Sequence, residues 1–287
     1  MTTRKMNLIV KEIKNILGDF AVVEMHKVSK NNGVVLHGVT IKLEESQNIL
    51  PIFYLENYDE SKTSREIAKE IITDNANALS ESKSMGINTD SLFTFDEVKF
   101  RIIYRLVNKK ANEELLRTIP HREFLDLAII YAVQFTDEAS AKITNALAKN
   151  WNVTEEELFA LATENTPKLF PVSAKPLLEI ICEMMEISPE QAMMMGMQND
   201  MQIVVTNQHN VNGASAILYP NVIEELHAKY GKLAILPSSI HEVIVVPLDD
   251  KMIEKRLTEM VKEVNEQVVN IEEVLSDHAY IYDGEWK

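Results

Sequence analysis

The apolar positions along this chain change period several times, and each change marks an element. Met6, Ile9, Val10, Ile13, Ile16 and Leu17 recur at three- and four-residue spacing and give way to Gly18, the stripe and stop of an amphipathic helix. From Phe20 to Leu43 the residues turn β-rich on either side of Lys30-Asn31-Asn32-Gly33, where Asn and Gly accept the positive φ angles of a hairpin turn. Ile52 to Leu55 add a third strand. Thr63 and Glu66 have the spacing of a capping box, and Ile67, Ile71 and Ile72 form the stripe of the helix it opens. Phe100, Ile102, Tyr104 and Leu106 alternate with Lys99, Arg101 and Arg105, which predicts a strand with one buried and one basic face. A first α+β lobe is expected to close there, over residues 1–110.

The second expected lobe, 111–287, begins with Phe124 to Phe135, apolar on both parities except at Asp126 and Gln134. It fits a central strand or a buried helix, and its β-branched and aromatic content favours the strand. Thr154 and Glu157 form a second capping box, with Val153 and Leu158 placed for a hydrophobic staple, and Ser188-Pro189-Glu190-Gln191 offers an N-cap with proline at the first helical position. After Met201 come strand patterns at QIVVT, GASAILY, KLAILP and HEVIVVP, with a Pro220 to Tyr230 helix between the second and third. This predicts a C-terminal ββαββ unit. Asp249 and Asp250 are placed to cap a last helix with the stripe Ile253, Leu257, Met260, Val261, Val264 and Val268, and Tyr280 to Tyr282 reads as a closing strand. The expected class is α+β, with mixed or antiparallel sheets, packed helices and two lobes so close that they amount to one domain or two.

Charge narrows the partners. Lys and Arg total 29 against 44 Asp and Glu, a net charge of −15, which disfavours sequence-independent attraction to nucleic acid or an anionic membrane and suits a basic protein partner or no macromolecule at all. Cys182, the only cysteine, sits in an apolar helical context (LLEIICEMM), so no internal disulfide forms and a reducing compartment is expected. Lys11, Glu12 and Lys14 interrupt any leader-like apolar run, and no later stretch has the length of a membrane span. A cytoplasmic location follows as an expectation.

The most site-like segment is Leu236 to Glu242 (LPSSIHE). Pro237-Ser238-Ser239 reads as a turn, after which His241 and Glu242 enter a strand and point to opposite faces, while Ser239 and His241 share one. A Ser–His pair supplies a nucleophile and a base only with contact and an orienting acid; the bland reading is a turn whose hydroxyls bond the backbone. His241-Glu242 fails the zinc-protease spacing, because the residue four positions after His241 is Val245, although His209, His227 and His241 converge if folding brings them together. Asn207-Gln208-His209-Asn210 is a polar loop candidate for binding. His121, Arg122, Glu123 and Asp126 cluster before an apolar run, and a carboxylate there must be paired or have a raised pKa. Lys99, Arg101, Arg105, Lys109 and Lys110 form a basic stripe. Met184, Met185, Met193, Met194, Met195, Met197 and Met201 read first as core packing and second as an adaptable peptide groove. Glycine-rich phosphate loops, Cys-pair zinc sites and dinucleotide fingerprints are missing, so no cofactor or metal is expected.

The segments YRLVN, NEELL, PHREFLDLAIIY, WNVTEEELFALATENT, ASAILYP, LPSSIHEVIVVP and EEVLSDHAYIYD together resemble the uncharacterised bacterial family called domain of unknown function 5688. The resemblance runs from about Tyr104 to Asp283, with a weaker N-terminal part. It implies a bacterial, cytoplasmic protein associated with mobile elements and brings no activity or catalytic residue, but it draws attention to His241, Glu242 and His278. With no complete catalytic set visible, a non-enzymatic interaction or regulatory role is the leading expectation. The alternatives are a hydrolase or metal-dependent enzyme built on Ser239, His241 and Glu242 with His209 or Asp126, and an acidic nucleic-acid mimic that blocks a defence protein.

Overall fold

The structure, a computed structural model, describes residues 1–43, 50–85, 94–136, 140–197, 201–248 and 254–287. The chain forms two compact units, Met1–Phe95 and Asp96–Lys287. In the first, α1 (Thr3–Leu17) starts on the Thr2 hydroxyl, which accepts from the Lys5 N–H, and stops at Gly18 with φ 63°. It buries Met6, Ile9 and Ile13. β1 (Val22–Ser29) and β2 (Val35–Lys42) form the expected antiparallel hairpin, turned by Asn32 and Gly33 at φ 55° and 71°, and β3 (Phe53–Tyr54) adds to β2. The Thr63–Glu66 box opens α2 (Ser64–Met85): Glu66 N–H donates to Thr63 Oγ1 and Thr63 N–H to Glu66 Oε2. Ile9, Ile13, Val39, Ile41, Leu55, Ile67 and Ile71 meet in one core.

The second unit corrects the expected strand at Phe100. A short helix α3 (Phe95–Val98) and a 3-10 turn at Lys99–Arg101 precede β4 (Ile102–Asn108), which is buried on both faces. Phe100 is 67% exposed. Because β4 pairs along its length with β6 (Leu127–Gln134), it belongs to the second unit. The Phe124 to Phe135 run is the expected central strand over most of its length, and only its first residues differ: after α4 (Glu113–Leu116), β5 (His121–Phe124) turns back through Leu125, at φ 55°, and Asp126 into β6, buried at every position. β7 (Ser140–Lys142) extends this sheet, whose order is β4-β6-β5 with β7 on β6. After α5 (Asn145–Trp151), the second capping box starts α6 (Glu155–Leu169). This helix closes the free edge of β4, since Asn165 Nδ2 donates to the Lys99 and Ile102 carbonyls and Thr166 Oγ1 accepts from the Tyr104 N–H. An edge covered in this way offers no template to another strand.

The rest of the unit is built on a second antiparallel sheet of order β12-β10-β11-β9-β8: β8 (Val172–Pro176), β9 (Ile203–Asn207), β10 (Leu233–Leu236), β11 (Val243–Pro247) and β12 (Tyr280–Tyr282). All pairings among the described residues are antiparallel. Helices α7 (Leu177–Met185) and α8 (Pro189–Met194) follow β8, and α8 carries the expected capping box at Ser188 and Gln191. GASAILY is not a strand. Gly213–Leu218 form a buried 3-10 turn before α9 (Val222–Tyr230), so the predicted ββαββ unit is a strand, a turn, a helix and two strands. The reason is close approach: a Cβ on Gly213 would stand 2.1 Å from Thr206 Oγ1 and 2.5 Å from the His241 carbonyl oxygen. The small residues of GASA bring this backbone against β9 where larger strand formers would not fit.

The last helix, α10 (Glu254–Gln267), buries Leu257 and Val261 but leaves Met260, Val264 and Val268 exposed. Its expected caps Asp249 and Asp250, and Ile253, lie outside the described residues. Leu257 and Val261 pack on Ala234, Leu236 and Ile281, so α10 covers one face of the sheet over β12, β10 and β11. Among the described residues no helix is long and apolar enough to cross a membrane.

Candidate functional site

The segments LPSSIHE and LSDHAYIYD, far apart in sequence, run side by side. Ile240 N–H donates to the Glu273 carbonyl at 2.8 Å, Leu275 N–H to Ser238 at 3.0 Å and Ser276 N–H to Pro237 at 2.9 Å, and Ser239 bridges Val274. Each segment contains the same local device. Ser239 Oγ accepts from the His241 N–H and Ser276 Oγ from the His278 N–H, both at 3.0 Å. These are serine turns in which the hydroxyl holds the backbone two residues on. His241 therefore lies just before β11 and not in it. Its Nδ1 accepts from the Asn212 N–H at 3.3 Å and its Nε2 stands 3.7 Å from Glu273 Oε1.

Asp126 is the hub of the second turn. Its carboxylate accepts from Ser276 Oγ at 2.8 Å and from the Tyr280 hydroxyl, and lies 3.3 Å from His278 Nδ1. Burial, with the bond to Asp126, pushes the Tyr280 phenol above its ordinary pKa, so it is a fixed donor at neutral pH. Asp126 is satisfied by residues of the C-terminal segment and not by its sequence neighbour Arg122. That guanidinium pairs side-on with Glu155, which also takes the Tyr131 hydroxyl. Glu123 pairs with Lys109 at 2.6 Å, and His121 Nδ1 is 3.1 Å from the Ile119 carbonyl oxygen. The expected pocket of histidine, arginine and carboxylate is thus divided among four separate sets of contacts.

The three histidines weighed as a zinc set have different surroundings. His209 stands edge-on to Phe170, His227 edge-on to Tyr282 with Nδ1 2.8 Å from the Gly231 carbonyl oxygen, and His241 against Asn212 and Glu273. Among the described residues no three His, Cys, Asp or Glu gather as metal ligands. Asn210 takes the positive φ of the loop after β9. The basic stripe is likewise broken up, with Lys99 on Asp96, Lys109 on Glu123 and Arg105 inside a cavity.

Two features missed by sequence reasoning lie around α7. Its methionines are not core: Met184 is 80% and Met194 88% exposed, and Met185, Met193, Met195 and Met201 are exposed too, while Leu178, Cys182 and Ala192 form the small core of the α7–α8 hairpin. Beside them, along β8, β9 and the start of β11, is a groove of about 870 Å³. Val204 and Ile244, paired across β9 and β11, floor it with Leu177 and Ile180 of α7, and Glu183 and Glu242 supply carboxylates. Glu183 holds Lys175 at 2.7 Å, whereas the Glu242 carboxylate has no partner among the described residues. Glu242, like His241, lies before β11, so the expected entry of both into a strand does not hold and strand alternation does not place Glu242 in the groove.

Searches of curated proteins and of solved structures return no match. The profile of one family matches residues 5–284, nearly the whole chain, including the N-terminal part where the sequence resemblance was weaker. The two serine turns, the Asp126 hub and the groove at Glu242 are thus features of a chain that belongs to the family of unknown function DUF5688.

Proposed function

We propose that this protein works by binding another protein in a regulatory role, and that the groove along β11, β9, β8 and α7 receives a peptide segment carrying both apolar and basic side chains. The observation that carries this reading is the Glu242 carboxylate, without a partner among the described residues, lining a groove floored by Val204 and Ile244. Three further features support it. The exposed methionines at the end of α7 and on α8 are flexible and polarizable, the kind of surface that adapts to a bound helix or strand. Glu179, Glu183, Glu186 and Glu190 are exposed along the same hairpin, so the surroundings are acidic. The net charge of −15 draws basic partners from a distance. A bacterial cytoplasmic partner tied to a mobile element suits the family resemblance and the buried lone thiol of Cys182.

An enzymatic reading has less support. Ser239 Oγ is engaged by a backbone N–H, and the acid nearest the His241 ring is Glu273 at 3.7 Å, long for an orienting hydrogen bond. The test is selection from a random peptide library displayed against the whole protein. Recovered sequences that combine Lys or Arg with Leu, Ile or Met, and that are lost against Glu242→Lys, bear the reading out. Recovery of acidic or purely polar sequences, or insensitivity to Glu242→Lys, overturns it.

A further inference from the structure

Arg105 projects from β4 into a cavity of about 280 Å³ lined by Ile103, Gln134, Phe170, Val211, Asn212 and Ser215 among others. Its Nη2 donates to Gln134 Oε1 at 3.3 Å and to Ser140 Oγ at 2.8 Å. Both acceptors are neutral. The Nε–H is buried without a partner, and Nη1 makes no hydrogen bond to the described residues. Among these residues no carboxylate reaches salt-bridge distance of the guanidinium, although the chain as a whole is rich in acids. Burial lowers the guanidinium pKa. A guanidinium has five N–H donors in a rigid plane and stays charged, so withdrawing it from water with three donors idle is costly unless something else completes the set.

The other lining groups indicate what completes it. Thr166 Oγ1 and Asn207 are occupied, by Ala162 and Tyr104 in the first case and by Val211 and His209 in the second, and Ser215 Oγ donates to the Asn212 carbonyl. The Asn212 side-chain amide makes no hydrogen bond to the described residues. A single fixed positive charge, planar donors, one free amide and apolar walls at Ile103, Phe170 and Val211 match a ligand with one negative charge, a planar pair of acceptor oxygens and a short hydrocarbon part. A phosphate dianion would meet only one cation here. The volume is at the small end for ligand sites.

We infer that the cavity at Arg105 is a binding site for a small organic monocarboxylate, held by the Arg105 guanidinium with Asn212 at the rim. The cavity adjoins the peptide groove, since Asn207 lines both, but butyrate binding and peptide binding are read separately, so each inference stands or falls on its own.

The experiment is thermal unfolding and calorimetric titration of the whole protein with butyrate, with butyramide and inorganic phosphate as comparisons. Butyrate is expected to bind saturably and to raise Tm by about 3 °C or more at tenfold over its Kd, with butyramide and phosphate at least tenfold weaker. Arg105→Gln should weaken butyrate about 30-fold, the loss of a charge-assisted contact. Since Arg105→Gln also alters a sheet residue, Asn212→Asp is the second variant: it keeps shape and tolerance of the positive φ but sets a negative charge at the rim, and should weaken butyrate at least tenfold. Butyramide or phosphate binding as well as butyrate, no butyrate binding at all, or Asn212→Asp binding unchanged would overturn the inference.

Discussion

His241 and Glu242, adjacent in the chain, serve different parts of the second unit: the His241 ring accepts from the Asn212 N–H at 3.3 Å in the turn beside β9, while the Glu242 carboxylate lines the open groove. One side chain holds a loop and the other lines a groove, so the two neighbours in the segment most site-like in sequence can be tested separately.

Asp126 holds three groups of the C-terminal segment, and the Tyr280 hydroxyl among them is buried. Asp126→Ala should therefore destabilise the protein by about 1–3 kcal/mol, the cost of a buried donor left without an acceptor. Asp126→Asn, which retains an acceptor oxygen, should cost less. Chemical denaturation of both variants checks the order; equal stability of wild type and Asp126→Ala would mean the hub holds nothing.

Gly213 is fixed by contact, since any Cβ would fall inside Thr206 Oγ1, the His241 carbonyl and the Asn207 N–H. Gly213→Ala should lose about 2–3 kcal/mol by overpacking, although in an ordinary turn alanine would be tolerated. Denaturant midpoints with an unchanged m-value are the expected readout.

In the first unit, Glu56 receives the His37 backbone N–H at 3.0 Å and stands 2.8 Å from the His37 ring. Burial pushes its carboxyl pKa up, but the bonds from the His37 side chain and backbone outweigh it and the net shift is downward. A carboxyl whose folded pKa lies below its unfolded value adds stability above the unfolded pKa and loses it as pH falls through the folded one. The stability of wild type should therefore fall between about pH 5 and pH 2 more steeply than that of Glu56→Gln. Parallel pH profiles for the two proteins would contradict this.

Much of the fold was legible. Capping residues at Thr63, Thr154 and Ser188 and the turn at Asn32-Gly33 act through bonds within a few residues, so local sequence is enough to reveal them. GASAILY was read as a strand because its apolar run satisfies either structure; the clash at Gly213 that decides it involves Thr206 and His241, both remote. The methionines were read as core because apolar residues are usually buried, yet the α7–α8 hairpin is too small to bury them. Asp126 was correctly seen to need a partner, but that partner was 150 residues away at Ser276. Arg105 was assigned to a solvent face by alternation, because nothing local shows that β4 is covered on both sides.

The central claim, that the groove at Glu242 binds an apolar and basic segment, is tested most directly by fluorescence anisotropy. A labelled peptide of alternating leucine and lysine would be titrated with wild type and with Glu242→Lys at the same salt, with a leucine–glutamate peptide as control. The account predicts saturable binding of the lysine peptide by wild type, a loss of about tenfold or more in Glu242→Lys as attraction becomes like-charge repulsion, and no binding of the glutamate peptide. Equal affinity of wild type and Glu242→Lys, or equal binding of the two peptides, would contradict it.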